Sequence, residues 1–111
     1  MLYKKFLKGE KIYACSNCHC HLAYHEDIIS KSFQGRHGRA YLFETIVNFF
    51  LGEPEDRTLI TGVHTVCDVF CVSCQTVLGW KYEDAKEESQ KYKVGKFIVE
   101  KVYLVKEADW E

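Results

Sequence analysis

The sequence contains no apolar run long enough to cross a membrane and no marked excess of charge of either sign. None of its hydrophobic stretches approaches the roughly 18 residues of a membrane-spanning helix. The 15 basic and 16 acidic side chains give a formal net charge of −1. Such a balance argues against broad electrostatic attraction to nucleic acid or to an anionic membrane. The composition therefore disfavours both as partners.

The sequence also lacks internal repeats, low-complexity tracts and any linker that would divide it. Residues 1–7 carry two lysines but neither the apolar length nor the cleavage site of a secretory signal. We therefore expect an intracellular protein. Its 111 residues, 47% of them hydrophobic, suffice for one domain with its own core. We predict a loosely held arm at residues 1–11, a folded domain at 12–105 and a short acidic tail at 106–111.

Short runs of β-forming residues alternate with turns, and no long amphipathic helix separates them. This spacing predicts a mainly β domain with antiparallel sheets. The last strand has two apolar faces, which predicts a central place in a sheet. The predicted strands lie at residues 12–14, 28–33, 40–43, 46–51, 57–61, 64–70, 77–82 and 97–105. Residues 34–39 are predicted as a loop, 43–50 remain open to a short helix, 52–56 form a turn, and 83–92 form helical turns or a loop.

Two cysteine pairs, Cys15–Cys18 and Cys71–Cys74, share the spacing C-x₂-C. At this spacing a tight turn lets two thiolates point at one ion, and two such turns supply the four ligands of a closed tetrahedral zinc site. Roughly 50 residues separate the pairs, far more than the 12–20 of a zinc finger or ribbon. The pattern predicts one structural zinc that joins two hairpins distant in sequence. Disulfides or unpaired core cysteines are the alternatives.

Two further cysteines, Cys20 and Cys67, lie close to these pairs in sequence. They could form a second metal site with nearby histidines, or they could be a core cysteine and a spare surface thiol. In the second case they matter as targets of oxidation. The histidines available to them are His19, His21, His25 and His64.

The spacing C-x₂-C-x₁₉-G-x₃-L-x₅-N-x₁₃-G-x₈-C-x₂-C-x₄-G-W-x-Y-x₁₀-K-x₆-E resembles the signature of the Yippee proteins. The segments 29–35 and 90–93 are similar to that family as well, so the resemblance covers residues 12–105. The signature places Lys93 and Glu100 at fixed positions, and an ion pair is sufficient to explain both. Outside the cysteines, the remaining matches are Gly38, Leu42, Asn48, Gly62, Gly79, Trp80 and Tyr82.

The resemblance implies a fold called a β-tent, in which two antiparallel sheets are pinned by one four-cysteine Zn²⁺ site. Cys15, Cys18, Cys71 and Cys74 would be the ligands, and a metal with four protein ligands leaves no position for a catalytic water. The resemblance also implies a non-catalytic adaptor in the nucleus and cytoplasm. Such proteins are linked to cell division and stress survival, and some associate with a multisubunit RING ubiquitin ligase.

If residues 79–82 form a strand, Trp80 and Tyr82 share a face. Both rings are then either core or the wall of a small-molecule or peptide-end pocket, with His64 and residues 34–38 at its rim. The matching residues of cereblon line an aromatic cage for cyclic imides. Because this chain lacks further tryptophans before Cys71, that specificity is not carried over, although the pair could hold a cation or a modified side chain. His37, between two arginines, binds an anion or lies in a solvated turn.

Two other functions compete with the adaptor. The methionine-sulfoxide reductases of related fold need a nucleophilic cysteine late in the chain, and no cysteine follows Cys74. RNA sensors of similar fold suggest nucleic-acid binding, which only the basic residues at 36–39 favour. The sequence therefore predicts a non-enzymatic, zinc-stabilised binding module.

Overall fold

The computed structural model describes residues 4–107, and every regular element in this range is a β-strand or a short 3₁₀ helix. The strands are β1 Ile12–Cys15, β2 His21–Tyr24, β3 Ile28–Gly35, β4 Gly38–Phe43, β5 Phe49–Leu51, β6 Glu55–Leu59, β7 Gly62–Cys71, β8 Val77–Ala85, β9 Phe97–Glu100 and β10 Leu104–Glu107. The 3₁₀ helices are His25–Asp27, Glu88–Lys93 and Lys101–Tyr103. No helix in residues 4–107 has the length and apolar character needed to cross a membrane.

The strands form two antiparallel sheets. The small sheet has the order β10-β1-β2, so its central strand is the first in the chain and pairs with the last. The large sheet has the order β3-β4-β9-β8-β7-β5, with β6 also paired to β7. The predicted mainly β fold with two antiparallel sheets is therefore confirmed.

The large sheet has an apolar cluster on each face because its central strands alternate between two buried sides. On β4, Tyr41 and Phe43 belong to the larger cluster, which also contains residues of the small sheet, whereas Leu42 belongs to the smaller one. On β9, Val99 and Ile98 divide in the same way. We call these the closed face, packed against the small sheet, and the open face.

A bulge in β8 determines which of its side chains reach each face. Val69 of β7 pairs with Gly79, but the next residue of β7 pairs with Val77, so Leu78 is an extra residue. Leu78 therefore belongs to the closed-face cluster, although Trp80 two residues later belongs to the open-face cluster. Gly79 has no room for a side chain, because a Cβ atom would overlap the carbonyl oxygen of Ile98 on β9.

Several predicted element boundaries are wrong. The predicted strand at 97–105 is interrupted by the 3₁₀ helix Lys101–Tyr103, after which the chain enters the other sheet as β10. The apolar residues on both faces of this segment correctly indicated that it is buried. They could not show that the chain passes from one sheet to the other within it. The predicted loop at 34–39 is a hairpin with only two residues between β3 and β4. The predicted strand at 46–51 is confined to β5, and the undecided segment at 83–92 continues β8 before a 3₁₀ helix.

The residues predicted as a loose arm and a tail are mostly exposed where the structure describes them, but several make defined contacts. Leu7 is buried, and its N–H donates to His21 Nδ1 at 3.0 Å. Tyr24 Oη accepts from the Lys8 N–H at 3.2 Å and donates to the Lys8 carbonyl at 2.9 Å. Residues 106 and 107 pair with β1 as part of β10. Residues 1–3 and 108–111, including Trp110, lie outside the described residues.

Candidate metal centre and aromatic groove

The first cysteine pair lies in a tight turn between β1 and β2. The Cys15 N–H donates to the Cys20 carbonyl at 2.8 Å, and the His19 N–H donates to the Cys15 carbonyl at 2.7 Å. His19 closes the turn in the left-handed region, with φ of 63°. These bonds fold the backbone so that both thiols of the pair project from one side.

The second cysteine pair repeats this turn between β7 and β8. The Cys71 N–H donates to the Thr76 carbonyl at 2.9 Å, and the Gln75 N–H donates to the Cys71 carbonyl at 2.8 Å. Gln75 takes the place of His19, with φ of 62°. The two turns are thus local copies of one another, one at the end of each sheet.

The four thiols of these turns converge on one point. Cys15 Sγ lies 3.7 Å from Cys74 Sγ, and Cys18 Sγ lies 3.6 Å from Cys71 Sγ. All four sulfur atoms lie within 4.8 Å of one another. A tetrahedral zinc ion with Zn–S bonds of about 2.3 Å would space its sulfur atoms about 3.8 Å apart. The donor set and its spacing therefore fit one structural zinc ion, which would join the two sheets.

The surroundings of three of these thiols shift their pKa values, and in opposite directions. Burial raises the pKa of Cys15 and Cys71. Burial acts in the same sense on Cys74, but hydrogen bonds from Thr76 and Asn17 outweigh it and lower the pKa of this thiol to about 6. Cys74 is therefore the thiol best prepared to be a thiolate, which is the form that binds the metal.

Asn48, which belongs to the family signature but had no predicted role, supports the metal centre from outside it. Its φ of 58° is in the left-handed region, which asparagine tolerates better than most residues. Its side chain accepts from the Lys5 N–H at 2.6 Å and donates to the carbonyls of Lys5 at 2.7 Å and His21 at 2.8 Å. Its carbonyl accepts from the Val72 N–H inside the second turn at 2.9 Å. Asn48 thereby ties residues before β1 to β2 and to the second cysteine turn.

The second metal site considered from the sequence does not form within residues 4–107, where the four zinc-site cysteines are the one cluster with metal-ligand geometry. Cys20 and Cys67 are both buried, so neither is a surface thiol. Burial raises the pKa of each. His19 and His21 have other partners: His19 pairs with Glu107 at 2.8 Å, and His21 accepts the Leu7 N–H.

An open groove of about 480 Å³ lies on the open face of the large sheet, beside Trp80 and Tyr82. The two rings meet edge to face, with centroids 6.3 Å apart. Burial raises the pKa of Tyr82, against a smaller opposing effect of the nearby Trp80 indole. The indole N–H faces the Tyr82 hydroxyl closely enough to have this effect, but within the described residues it makes no hydrogen bond of normal geometry. The groove is lined by Ser30, Ser32, Phe33, Gln34, Leu59, Ile60, Thr61, Trp80, Tyr82, Gln90, Tyr92 and Lys93.

The predicted rim residues of this pocket lie in different places. His64 is buried beside Tyr82, with ring centroids 5.2 Å apart, and its Nδ1 lies 3.0 Å from the Gly62 carbonyl. It does not line the groove. His37 lies in the β3–β4 turn, where its N–H donates to Glu100 Oε1 at 2.6 Å. Of the predicted rim loop, Gln34 does line the groove. The roles in ligand binding stay predictions.

Lys93 and Glu100 do not form the expected ion pair. Glu100 is buried and pairs with His37 at 3.3 Å. Lys93 is only 3% exposed, and its Nζ donates to Thr61 Oγ1 at 3.1 Å. The ammonium lies over the rings of Phe33 at 5.0 Å and Tyr82 at 5.4 Å. Because its charge is buried, its pKa is lowered.

Comparison with known proteins places these features in a known family. A family model described as Yippee zinc-binding/DNA-binding/Mis18, centromere assembly, matches residues 11–107. Protein yippee-like 4 of Homo sapiens is 56% identical over 101 residues, which cover 91% of this chain and 80% of that protein. A yippee-like protein of Arabidopsis thaliana is 59% identical over 102 residues, covering 92% and 95%.

Among solved structures, the crystal structure of the Mis18 'Yippee-like' domain superposes with a TM-score of 0.71. The match covers 93% of this chain and 100% of that one, at 10% sequence identity. Since so low an identity supports the fold alone, this likeness agrees with the two-sheet architecture and does not extend to ligands or partners.

Proposed function

The chain belongs to the Yippee–Mis18 family of zinc-binding domains, and from this premise we propose that it is an adaptor whose open aromatic groove receives a protein partner. The family description names zinc binding, DNA binding and centromere assembly, but no reaction. The chain is accordingly a binding module rather than an enzyme, and the zinc is structural. A metal held by four cysteines stabilises the fold and offers no open position for chemistry.

The observation that carries the adaptor proposal is the groove beside Trp80 and Tyr82. Its volume lies within the roughly 300–1,000 Å³ of typical ligand sites. Its lining is divided equally between six apolar or aromatic residues and six polar ones. Two groove residues are exposed apolar side chains: Ile60 is 95% exposed and Tyr92 is 58% exposed. Exposed aromatic and aliphatic groups around a concave site favour contact with another molecule.

We propose a multisubunit RING ubiquitin ligase as the assembly on which the adaptor docks. The support is the complete Yippee signature, from Cys15 to Glu100, because some proteins of that resemblance associate with such a ligase. The same resemblance supports a place in the nucleus and cytoplasm and a role in cell division or stress survival. The groove would then either contact the ligase or present a substrate to it.

Affinity capture from cell extract, followed by mass spectrometry, tests this proposal. Tyr92→Ala changes an exposed wall of the groove, and Val102→Ala removes a similarly exposed apolar side chain, at 57%, that does not line it. Trp80→Ala, checked for fold and zinc content, removes the inner wall. Recovery of ligase subunits by the wild type and Val102→Ala, but not by the groove variants, would place docking at the groove.

Recovery by all four proteins would place docking elsewhere and leave the groove for a substrate. If no variant and no wild-type sample recovers ligase subunits, the ligase proposal is wrong. If zinc-loaded wild type captures no specific protein at all, the adaptor proposal fails with it.

DNA binding is a second candidate because the family description names it. The charge of this chain does not favour it: the net charge is −1. Of the basic residues near the β3–β4 turn, Arg36 lies 4.0 Å from Asp68, which also pairs with Arg57 at 2.8 Å. A salt-dependent gel shift at micromolar protein would support the DNA candidate, since phosphate contacts weaken as salt rises.

A further inference from the structure

We propose that the groove recognises the carboxyl-terminal residue of a peptide, with its carboxylate on Lys93 and its apolar side chain against the aromatic walls. This inference rests on the proposed function of the groove as a protein-binding site and specifies what part of the partner it binds.

Lys93 is the first support, because its charge is buried without an opposite charge. Within residues 4–107 no carboxylate lies at ion-pair distance from it, and its one hydrogen-bond partner is the Thr61 hydroxyl. Two neighbouring lysines, by contrast, are paired with carboxylates: Lys91 with Asp84 at 3.3 Å and Lys81 with Glu83 at 3.3 Å. A buried ammonium with incomplete compensation is costly, and a bound carboxylate would complete it.

The aromatic rings beside Lys93 give the second support, since their arrangement disfavours a positively charged ligand. The Lys93 ammonium already lies over Tyr82 and Phe33, and it is 5.9 Å from the ring of Tyr92. The negative faces of these rings are therefore occupied by a cation of the protein itself. A cationic ligand or a methylated lysine would meet this charge at short range, which disfavours such a ligand at Tyr82.

Two unpaired polar atoms indicate which kind of carboxylate fits. Trp80 and Gln90 both line the groove. In the described part of the chain, Trp80 Nε1 lacks an acceptor and Gln90 Oε1 lacks a donor. Both atoms are enclosed in this structure, so a terminal carboxylate would accept from Trp80, and the amide N–H of the same residue would donate to Gln90, once these two side chains turn toward the groove. Burying polar atoms without partners is unfavourable, so a ligand that supplies both is favoured.

The apolar walls determine the side chain of that last residue. Phe33, Leu59, Ile60 and Tyr92 border the same groove as Lys93. A flat or branched apolar side chain would be covered by them, whereas a charged side chain would lose its hydration. The proposed ligand therefore ends in an aromatic or aliphatic residue with a free carboxylate.

Titration of ¹⁵N-labelled, zinc-loaded protein by NMR tests the inference with N-acetylphenylalanine and its amide, which differ only in the carboxylate. The indole N–H signal of Trp80 reports binding, and the methyl signal of an added silane standard serves as the internal reference. We expect the acid to shift the Trp80 signal and to bind at least roughly tenfold more tightly than the amide, as is typical of a charge-assisted contact.

Lys93→Met keeps the length and burial of the side chain without its charge. We expect it to abolish the preference for the acid, whereas Lys91→Met, a change two residues away at a lysine outside the groove, keeps that preference. If Lys93→Met does not fold, the difference in affinity between N-acetylphenylalanine and its amide for the wild type tests the role of the carboxylate by itself. N-acetylglutamic acid α-amide carries a carboxylate on its side chain instead, and equally tight binding of this probe would overturn the terminal residue as the ligand.

Equal binding of acid and amide by the wild type would overturn the role of the carboxylate but leave the groove as a binding site. Absence of binding by both would overturn the whole inference. In that case ligase capture that depends on Tyr92 would still support the adaptor proposal, so the two failures can be distinguished.

Discussion

The two faces of the large sheet differ in what covers them. The closed face packs against the small sheet, and the cysteine cluster lies among its buried residues. The open face has a cluster of six buried residues and remains accessible as the groove. On the closed face the thiols fit a metal, whereas on the open face Lys93 and Trp80 have unmet bonding capacity. The difference suggests that one face stabilises the domain and the other binds its partner.

The largest loss of stability should come from replacing a metal ligand, because this disrupts the closed face. We expect Cys71→Ser or Cys18→Ser to abolish zinc binding and to lower the free energy of unfolding by on the order of 5 kcal/mol or more, enough to unfold a typical domain. Metal analysis and thermal denaturation measure both. Cys67→Ser is the matched control, since this thiol is buried outside the cluster. Unchanged zinc content in Cys71→Ser would contradict the ligand assignment.

Gly79 lies between the two faces, and its replacement should disturb both. In Gly79→Ala the new methyl group would overlap the backbone of Ile98, which cannot move without breaking the pairing of β8 and β9. We expect a loss of more than roughly 3 kcal/mol. Gly95→Ala is the control, because Gly95 has a φ of +86° but open space around it; strain alone should cost about 1 kcal/mol. Urea denaturation measures both losses. If the two variants lost the same free energy of unfolding, the close approach of Gly79 to Ile98 would be contradicted.

Replacing Asn48 should destabilise the closed face and leave the open face unchanged. Asn48→Ala removes three side-chain hydrogen bonds and leaves alanine at φ of 58°, so we expect a loss of about 2 kcal/mol with the groove unchanged. Asn48→Gly removes the same bonds without the backbone strain, and the difference between the two variants measures that strain. Urea denaturation gives the losses, and an unshifted Trp80 indole signal would show that the open face is intact.

The smallest effect concerns the open face and depends on pH. Burial lowers the pKa of Lys93 below its unfolded value of 10.5, so the unfolded chain holds this proton more tightly. Stability should therefore rise with pH between the folded pKa and 10.5. Lys93→Met should lose this slope, and Lys91→Met should keep it. Denaturation at several pH values measures how stability changes with pH. If Lys93→Met showed the same pH dependence as the wild type, the buried charge of Lys93 would not be its cause.

The sequence predicted the closed face better than the open one. The metal ligands follow from local spacing, because each C-x₂-C pair forms its own turn and four thiols have few other uses. The two-sheet β fold followed from short strands and from the family resemblance. The division of residues 97–105 between two sheets was missed, since Lys101–Tyr103 contains no glycine or proline to mark the break and Leu104 and Val105 continue the apolar run.

The environment of Lys93 could not be predicted from the sequence. Its rings come from β3, from β8 and from the neighbouring residue, so Phe33 and Tyr82 meet it only after the large sheet has formed. The same holds for Glu100, whose carboxylate binds the backbone of His37 in a distant turn. Sequence spacing shows which residues are special, but long-range pairing decides which of them meet.

The pairing of Ile12 with Glu107 has a consequence for folding. During synthesis, the strand that completes the sheet of Cys15 and Cys18 begins 86 residues after Cys18. Contacts between distant parts of a chain slow folding, because a long loop must close before they form. The first two thiols are therefore exposed to oxidants and to competing metals until the rest of the chain arrives. We expect newly made protein to depend on the zinc supply at the ribosome more than mature protein depends on it in the cell.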